Sequence, residues 1–234
     1  MMIHTEDVVL TTSGAKAFNG YLARPADVAA PGLIILSEMW GITDGKREMA
    51  QDYARKGWCT LVPNVFWRSE RSGTLLDRGP ERELAWERLR ALDFKVTAAD
   101  VGIASRWLRD STRMCTGKIA ALGFCVGGRI AYLAAATAAL DGAIALYALG
   151  IANHLDDMGR ITCPVQLHYG LADQYVPLEE IEAVTQAAQP FTNVQIYRYP
   201  GMGHGFFNPE RPTHDAAVVA LANQRIDALL SQLR

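Results

Sequence analysis

The chain has 234 residues, 50% of them hydrophobic and 21% charged, with a formal net charge of −2. That balance excludes a disordered or fibrous chain and predicts one globular domain spanning residues 1–234. A near-neutral chain has no electrostatic footprint for nucleic acid or an anionic membrane, so neither is expected as a partner.

Residues 8–10 and 18–23 read as a leading pair of strands. The unbroken apolar run 33–36 predicts a strand buried on both faces. A helix over 46–56 stops at Gly57, and a strand over 58–62 follows. The polar stretch 68–90 reads as a loop leading into a charged helix. Residues 93–109 are amphipathic at helical spacing. Strands are expected at 118–122, 143–147, 165–168 and 194–199, and helices at 127–140, 177–189 and 214–233. Strands alternating with helices predict a mostly parallel sheet of about eight strands, flanked by helices on both faces. Ligands of such sheets sit at the carboxyl ends of the strands.

Residues 1–7 contain no basic region and no long apolar stretch, which argues against a signal peptide and predicts a cytoplasmic protein. The apolar run 130–152 is divided by the turn signal Asp141-Gly142 into a helix and a strand, each too short to span a bilayer. The four cysteines form no CxxC pair, so neither a zinc ribbon nor a thioredoxin-type site is expected. Cys59 and Cys163 lie in or beside apolar strands, and Cys115 is placed in a connecting loop.

Cys125 differs. Gly123-Phe124-Cys125-Val126-Gly127 ends a β-run and opens a helix. This is the G-x-C-x-G form of the nucleophile elbow, whose glycines remove Cβ groups that would collide in a strained turn. A free cysteine in such a turn is often only a small buried hydrophobe. Here, candidate partners follow later strands in the order nucleophile, acid, histidine. Asp173 follows the strand 165–168 and His204 follows 194–199, in Gly203-His204-Gly205. The histidine would pair with the thiol, and the aspartate would fix its tautomer. Alone, Asp173 reads as a turn residue and His204 as a loop residue; their joint placement favours chemistry. His168, inside an apolar strand, reads as a core residue.

After the strand 33–36 comes Ser37-Glu38-Met39-Trp40-Gly41. The backbone N–H groups of Met39 and Val126 are the candidate oxyanion donors. Glu38, flanked by apolar residues, is expected in an apolar pocket that raises its pKa and lets it exchange a proton with the thiol.

These segments, with Val176-Pro177 after Asp173 and Phe206 after Gly205, make the chain resemble the dienelactone hydrolase family of α/β-hydrolases over essentially its whole length. The resemblance implies a Cys125–His204–Asp173 triad, with Glu38 taking the thiol proton when substrate binds and the resting thiol neutral. It implies attack on a small ester or lactone and an acyl-enzyme, without metal or cofactor. Members acting on dienelactone hold its carboxylate with two arginines. Arg82 matches one; the other position is Asn208, which predicts poor use of a carboxylated lactone. Arg211 is near Asn208 in sequence. Trp40, Trp67, Trp86, Tyr147 and Phe207 are candidate pocket walls. Two alternatives stand beside this reading: a broader carboxylesterase or thioesterase, and a ligand-binding or redox-sensing protein using Cys125.

Overall fold

The computed structural model describes residues 1–111, 115–137 and 140–234. Eight strands form one sheet: β1 (Ile3–Ser13), β2 (Lys16–Pro25), β3 (Ala30–Leu36), β4 (Cys59–Pro63), β5 (Cys115–Phe124), β6 (Gly142–Leu146), β7 (Val165–Gly170) and β8 (Val194–Tyr199). The helices among the described residues are α1 (Asp44–Arg55), α2 (Pro80–Arg90), α3 (Phe94–Ser111), α4 (Val126–Ala135), α5 (Leu178–Ala188) and α6 (Ala216–Ser231). The strand order is β1-β2-β4-β3-β5-β6-β7-β8. β1 and β2 form an antiparallel hairpin, β2 pairs antiparallel with β4, and every other pairing is parallel.

Burial explains the pattern. Residues 33–36 of β3 are wholly inaccessible at every position, not at alternate ones, so the middle of the sheet is covered on both faces. α1 packs on β2 and β4, and α4 on β5 and β6. Thr43 caps α1 with its hydroxyl, and Asp215 caps α6 by accepting from the N–H groups of Ala217 and Val218.

Three expectations change. Cys115 is the first residue of β5 rather than part of a loop. The helix expected over 127–140 ends at Ala135, and residues 138–139 lie outside the described residues. A run of 3₁₀ turns at Ile151–Arg160, kinked at His154, was not foreseen; at a non-helical residue no single helical period is maintained.

Because β3, β5, β6, β7 and β8 run parallel, their carboxyl ends share one edge of the sheet. Glu38 follows β3, Cys125 follows β5, Tyr147 follows β6, Asp173 follows β7 and His204 follows β8. α4 begins so close to β3 that a Cβ at Gly127 would stand 2.2 Å from the Leu36 carbonyl oxygen and 2.7 Å from that of Ser37. Neither backbone group can yield without breaking the sheet. Gly127→Ala is therefore expected to destabilise the protein by about 3 kcal/mol or more, read as a lowered urea midpoint at unchanged m-value.

Candidate active site

The site begins with the turn from β5 into α4. Cys125 holds φ 54° and ψ −117°, a conformation that L-residues rarely adopt. Its N–H donates to the Leu146 carbonyl at 2.9 Å, tying the turn to β6. A Cβ at Gly123 would lie 2.1 Å from the Gly127 carbonyl oxygen, so the turn closes only with glycine there. The side chain is thereby presented at the first turn of α4, where backbone N–H groups lack helical acceptors. Val126 is the first residue of that helix, as an oxyanion donor must be placed. Met39, the other candidate donor, is buried just past β3.

His204 and Asp173 meet across the loops after β7 and β8. The Ala172 N–H donates to the Met202 carbonyl at 2.9 Å, which joins the two loops. His204 Nδ1 lies 2.8 Å from Asp173 Oδ2. Asp173 Oδ1 accepts from the N–H groups of Tyr175 (2.8 Å) and Val176 (3.2 Å), so its turn geometry fixes the carboxylate that faces the ring. Cys125 lies close enough to His204 to act on its charge. Burial disfavours the imidazolium, but the hydrogen-bonded Asp173 carboxylate and the neighbouring Cys125 outweigh it and raise the His204 pKa to about 10. The ring is clasped by aromatics: Tyr147 and Tyr175 each meet it edge-on at 5.0 Å. Behind it, the His214 ring bonds the Phe206 carbonyl and Thr213 donates to the His204 carbonyl.

Glu38 sits in a different setting from the apolar one expected. Lys46 Nζ lies 3.1 Å from its carboxylate, and the Tyr147 hydroxyl donates to Oε1 at 3.3 Å. Lys46 is itself buried, with its ammonium 3.6 Å from the centre of the Phe124 ring. Tyr147 also departs from ordinary backbone, at φ 41°. Burial first, then the charges of Glu38 and Cys125, hold its phenol well above the usual tyrosine range, so it remains a donor.

The other candidates divide. Phe207 packs edge-on against Phe124 at 6.1 Å, and Trp86 against Tyr175 at 5.7 Å, which links α2 to the histidine. Trp40 is half-buried, and its carbonyl accepts from the Leu75 N–H at 2.9 Å. Trp67 is a core residue instead, stacked on Phe18 at 5.2 Å and donating to Asp100. Asn208 is exposed, and its side chain caps a local turn by accepting from the Glu210 N–H. Arg82 is half-exposed and pairs with Asp77. His168 is fully buried. Its Nε2–H donates to Gln166 and its Nδ1 accepts from Tyr199, and burial, with Arg225 nearby, lowers its pKa to about 3.

Sequence reasoning overlooked Lys46, Tyr175 and Arg88. Lys46 carried one signal, for a lysine in the first turn of a helix opposes the helix dipole and needs another reason to be there. Arg88, buried on α2, donates to the carbonyls of Met39, Arg71 and Gly73, holding the candidate oxyanion segment to the loop before α2.

Among the described residues, no cluster of His, Cys, Asp and Glu is arranged to hold a metal, and no helix is long and apolar enough to cross a membrane. The model of the dienelactone hydrolase family matches residues 18–233. Carboxymethylenebutenolidase 1 of Cupriavidus pinatubonensis is 29% identical over 231 residues, covering 98% of each chain. The carboxymethylenebutenolidase of Pseudomonas putida is 28% identical over 223 residues, covering 94% of each. A dienelactone hydrolase-like promiscuous phosphotriesterase from metagenomic libraries shares the fold with TM-score 0.81 at 22% identity, over 99% of this chain and 98% of its own. With the family pattern running through nearly every element that supplies the site, this chain belongs to the dienelactone hydrolase family.

Proposed function

We propose that the chain hydrolyses a small ester or lactone, in the manner of the dienelactone hydrolase family, with Cys125 as nucleophile. The observation that carries this reading is His204, hydrogen-bonded to Asp173 and close enough to the Cys125 turn to feel its charge. Membership of the family makes the protein a hydrolase of ester or lactone bonds. The names of the two relatives at 28–29% identity support the lactone class.

In this mechanism the Cys125 sulfur attacks the carbonyl carbon while its proton passes to the site's bases. His204 is placed to hold that proton as an imidazolium, stabilised by Asp173. The resemblance assigns proton acceptance to Glu38, with a neutral resting thiol. The Asp173 bond at Nδ1 instead supports His204 as the base. Glu38 is held between Lys46 and Tyr147, just past the strand that neighbours β5. The tetrahedral oxyanion takes hydrogen bonds from Met39 and Val126. Collapse breaks the carbon–oxygen bond, and His204 protonates the leaving alkoxide. Water, deprotonated by the same ring, then releases the acid and restores the thiol. Trp40, Trp86, Tyr147 and Phe207 form the apolar walls.

Cys125→Ala is expected to lower kcat on a short p-nitrophenyl ester about 1,000-fold or more, and to abolish the burst of p-nitrophenol. Undiminished turnover would remove Cys125 from the mechanism. Lys46→Met leaves Glu38 without its buried counter-ion, so a loss in kcat of about tenfold or more is expected, with Lys46→Arg restoring part of it. Linkage gives a third outcome. His204 has a folded pKa raised from 6.5 to about 10, so its contribution to stability is full below pH 6.5 and is lost as pH rises towards 10. Urea unfolding across that window should show wild type losing stability relative to His204→Gln; parallel curves would contradict the assignment.

A further inference from the structure

The loop between β4 and α2 brings one carboxylate between two arginines at the mouth of the site. Asp77 Oδ2 pairs with Arg211 Nη2, and Asp77 Oδ1 lies 3.6 Å from Arg82 Nε. The arginines come from separate elements. Arg82 is on α2, one turn before Trp86, and is therefore on the same helix face. Trp86 packs on Tyr175, and Tyr175 on His204. Arg211 comes from the loop beyond His204. A Cβ at Gly205 would lie 3.8 Å from its Cγ, and its charge acts on the buried Tyr147 hydroxyl. The Asp77 loop is itself fixed over the candidate oxyanion segment. Thr74 donates to the Ile42 carbonyl at 2.9 Å, the Leu75 N–H to Trp40 at 2.9 Å, and the Leu76 N–H to Glu81 at 2.7 Å.

A pair of guanidiniums converging from two sides is a receptor for a carboxylate. We propose that Asp77 is the internal occupant of that receptor and a specificity-determining residue, which directs the site towards uncharged esters and lactones. This rests on the hydrolase reading above and names the substrate class. The physical reason is tethering. An exposed ion pair is weak against free ions in solution. A carboxylate anchored by its own loop, however, competes at an effective concentration of about millimolar or more. An anionic substrate must displace Asp77 and then stand beside the released charge. An uncharged substrate meets neither obstacle. The more buried cation, Lys46, offers no substitute, because Glu38 already holds it.

The test uses a small planar carboxylate, furan-2-carboxylate, as a probe that needs no turnover. Titration calorimetry on the full chain is expected to show wild type binding it weakly. Asp77→Asn and Asp77→Ala should each bind it about tenfold more tightly. Adding Arg211→Met to Asp77→Asn should remove that gain. In parallel, the ratio of kcat/KM for a carboxylate-bearing lactone to that for its uncharged methyl ester should rise about tenfold in Asp77→Asn. A Kd for wild type below about 0.1 mM overturns the proposal without any variant. So does affinity in both Asp77 variants within twofold of wild type, or a gain that survives Arg211→Met. If Asp77 only latches the loop, its loss lowers both substrates alike and the ratio stays fixed, which also overturns it. Absence of ester turnover in wild type would remove the hydrolase reading, while the calorimetric arm still decides the role of Asp77.

Discussion

The turn at Cys125 is the constraint on which the rest of the structure depends. A non-glycine residue at φ 54° costs on the order of 1–3 kcal/mol and persists only where its surroundings leave no alternative. Those surroundings are specific. Gly123 lets the helix fold back over the strand, and Gly127 lets the helix meet the end of β3. The Cys125 N–H extends the β5–β6 ladder one residue beyond the strand. At the end of the adjacent strand, Tyr147 is also at positive φ, and its N–H reaches the His168 carbonyl at 2.8 Å. The strained residues at the ends of β5 and β6 are thus both anchored through the sheet. The sheet is held by a core in which β3 and β6 are buried at almost every position. Core packing and site geometry are one problem here, for a change that loosens β3 against α4 relaxes the turn that aims the sulfur.

Charge in the site is arranged in pairs. Asp173 faces His204, and Glu38 faces Lys46, each pair with little exposure. Burying ions is unfavourable unless each finds a partner and its remaining hydrogen bonds are met. Asp173 meets this with two backbone N–H groups, and Glu38 with the Tyr147 hydroxyl. Tyr147 therefore links the two pairs, donating to Glu38 while its ring faces His204. A negative charge developing in the proposed site would meet groups already oriented. Preorganisation of this kind stabilises a transition state without reorganisation at the moment of reaction.

What was legible in the sequence follows from the range over which each feature is determined. The alternation of strands and helices, the G-x-C-x-G turn, and Asp173 and His204 after their strands depend on local periodicity and turn chemistry. Each can be read within about ten residues. Glu38 was legible as a residue after a strand, but its surroundings were not. They are set by α1 returning over the strand end, which places Lys46 against the carboxylate and Phe124. Trp67 shows the same limit from the other side. Its type suits a pocket wall, yet pairing of β2 with β4 stacks it on Phe18. Tyr175 stands two residues from Asp173, but its contact with Trp86 crosses from the loop after β7 to α2, beyond the reach of local pattern. The kinked 3₁₀ run had no repeating pattern to read.

Arg88 joins the Asp77 loop to the candidate oxyanion segment by a route that no motif announces. Its guanidinium gathers the carbonyls of Arg71 and Gly73, from the loop bearing Asp77, together with that of Met39, from the candidate oxyanion segment. The side chain lies over Phe66 at 3.9 Å and is almost fully buried. An arginine has five donors in one plane, so it can hold several carbonyls in fixed relation, which a lysine point charge cannot. Burial lowers its pKa to about 10, which still leaves it charged at neutral pH. The loop bearing Asp77 and the candidate oxyanion peptide are thereby tied to one side chain. A change of sequence in that loop acts on the Met39 N–H as well as on the pocket mouth. On the proposed mechanism, substrate preference and rate would then be coupled through backbone carbonyls, even where no substituted side chain touches the substrate.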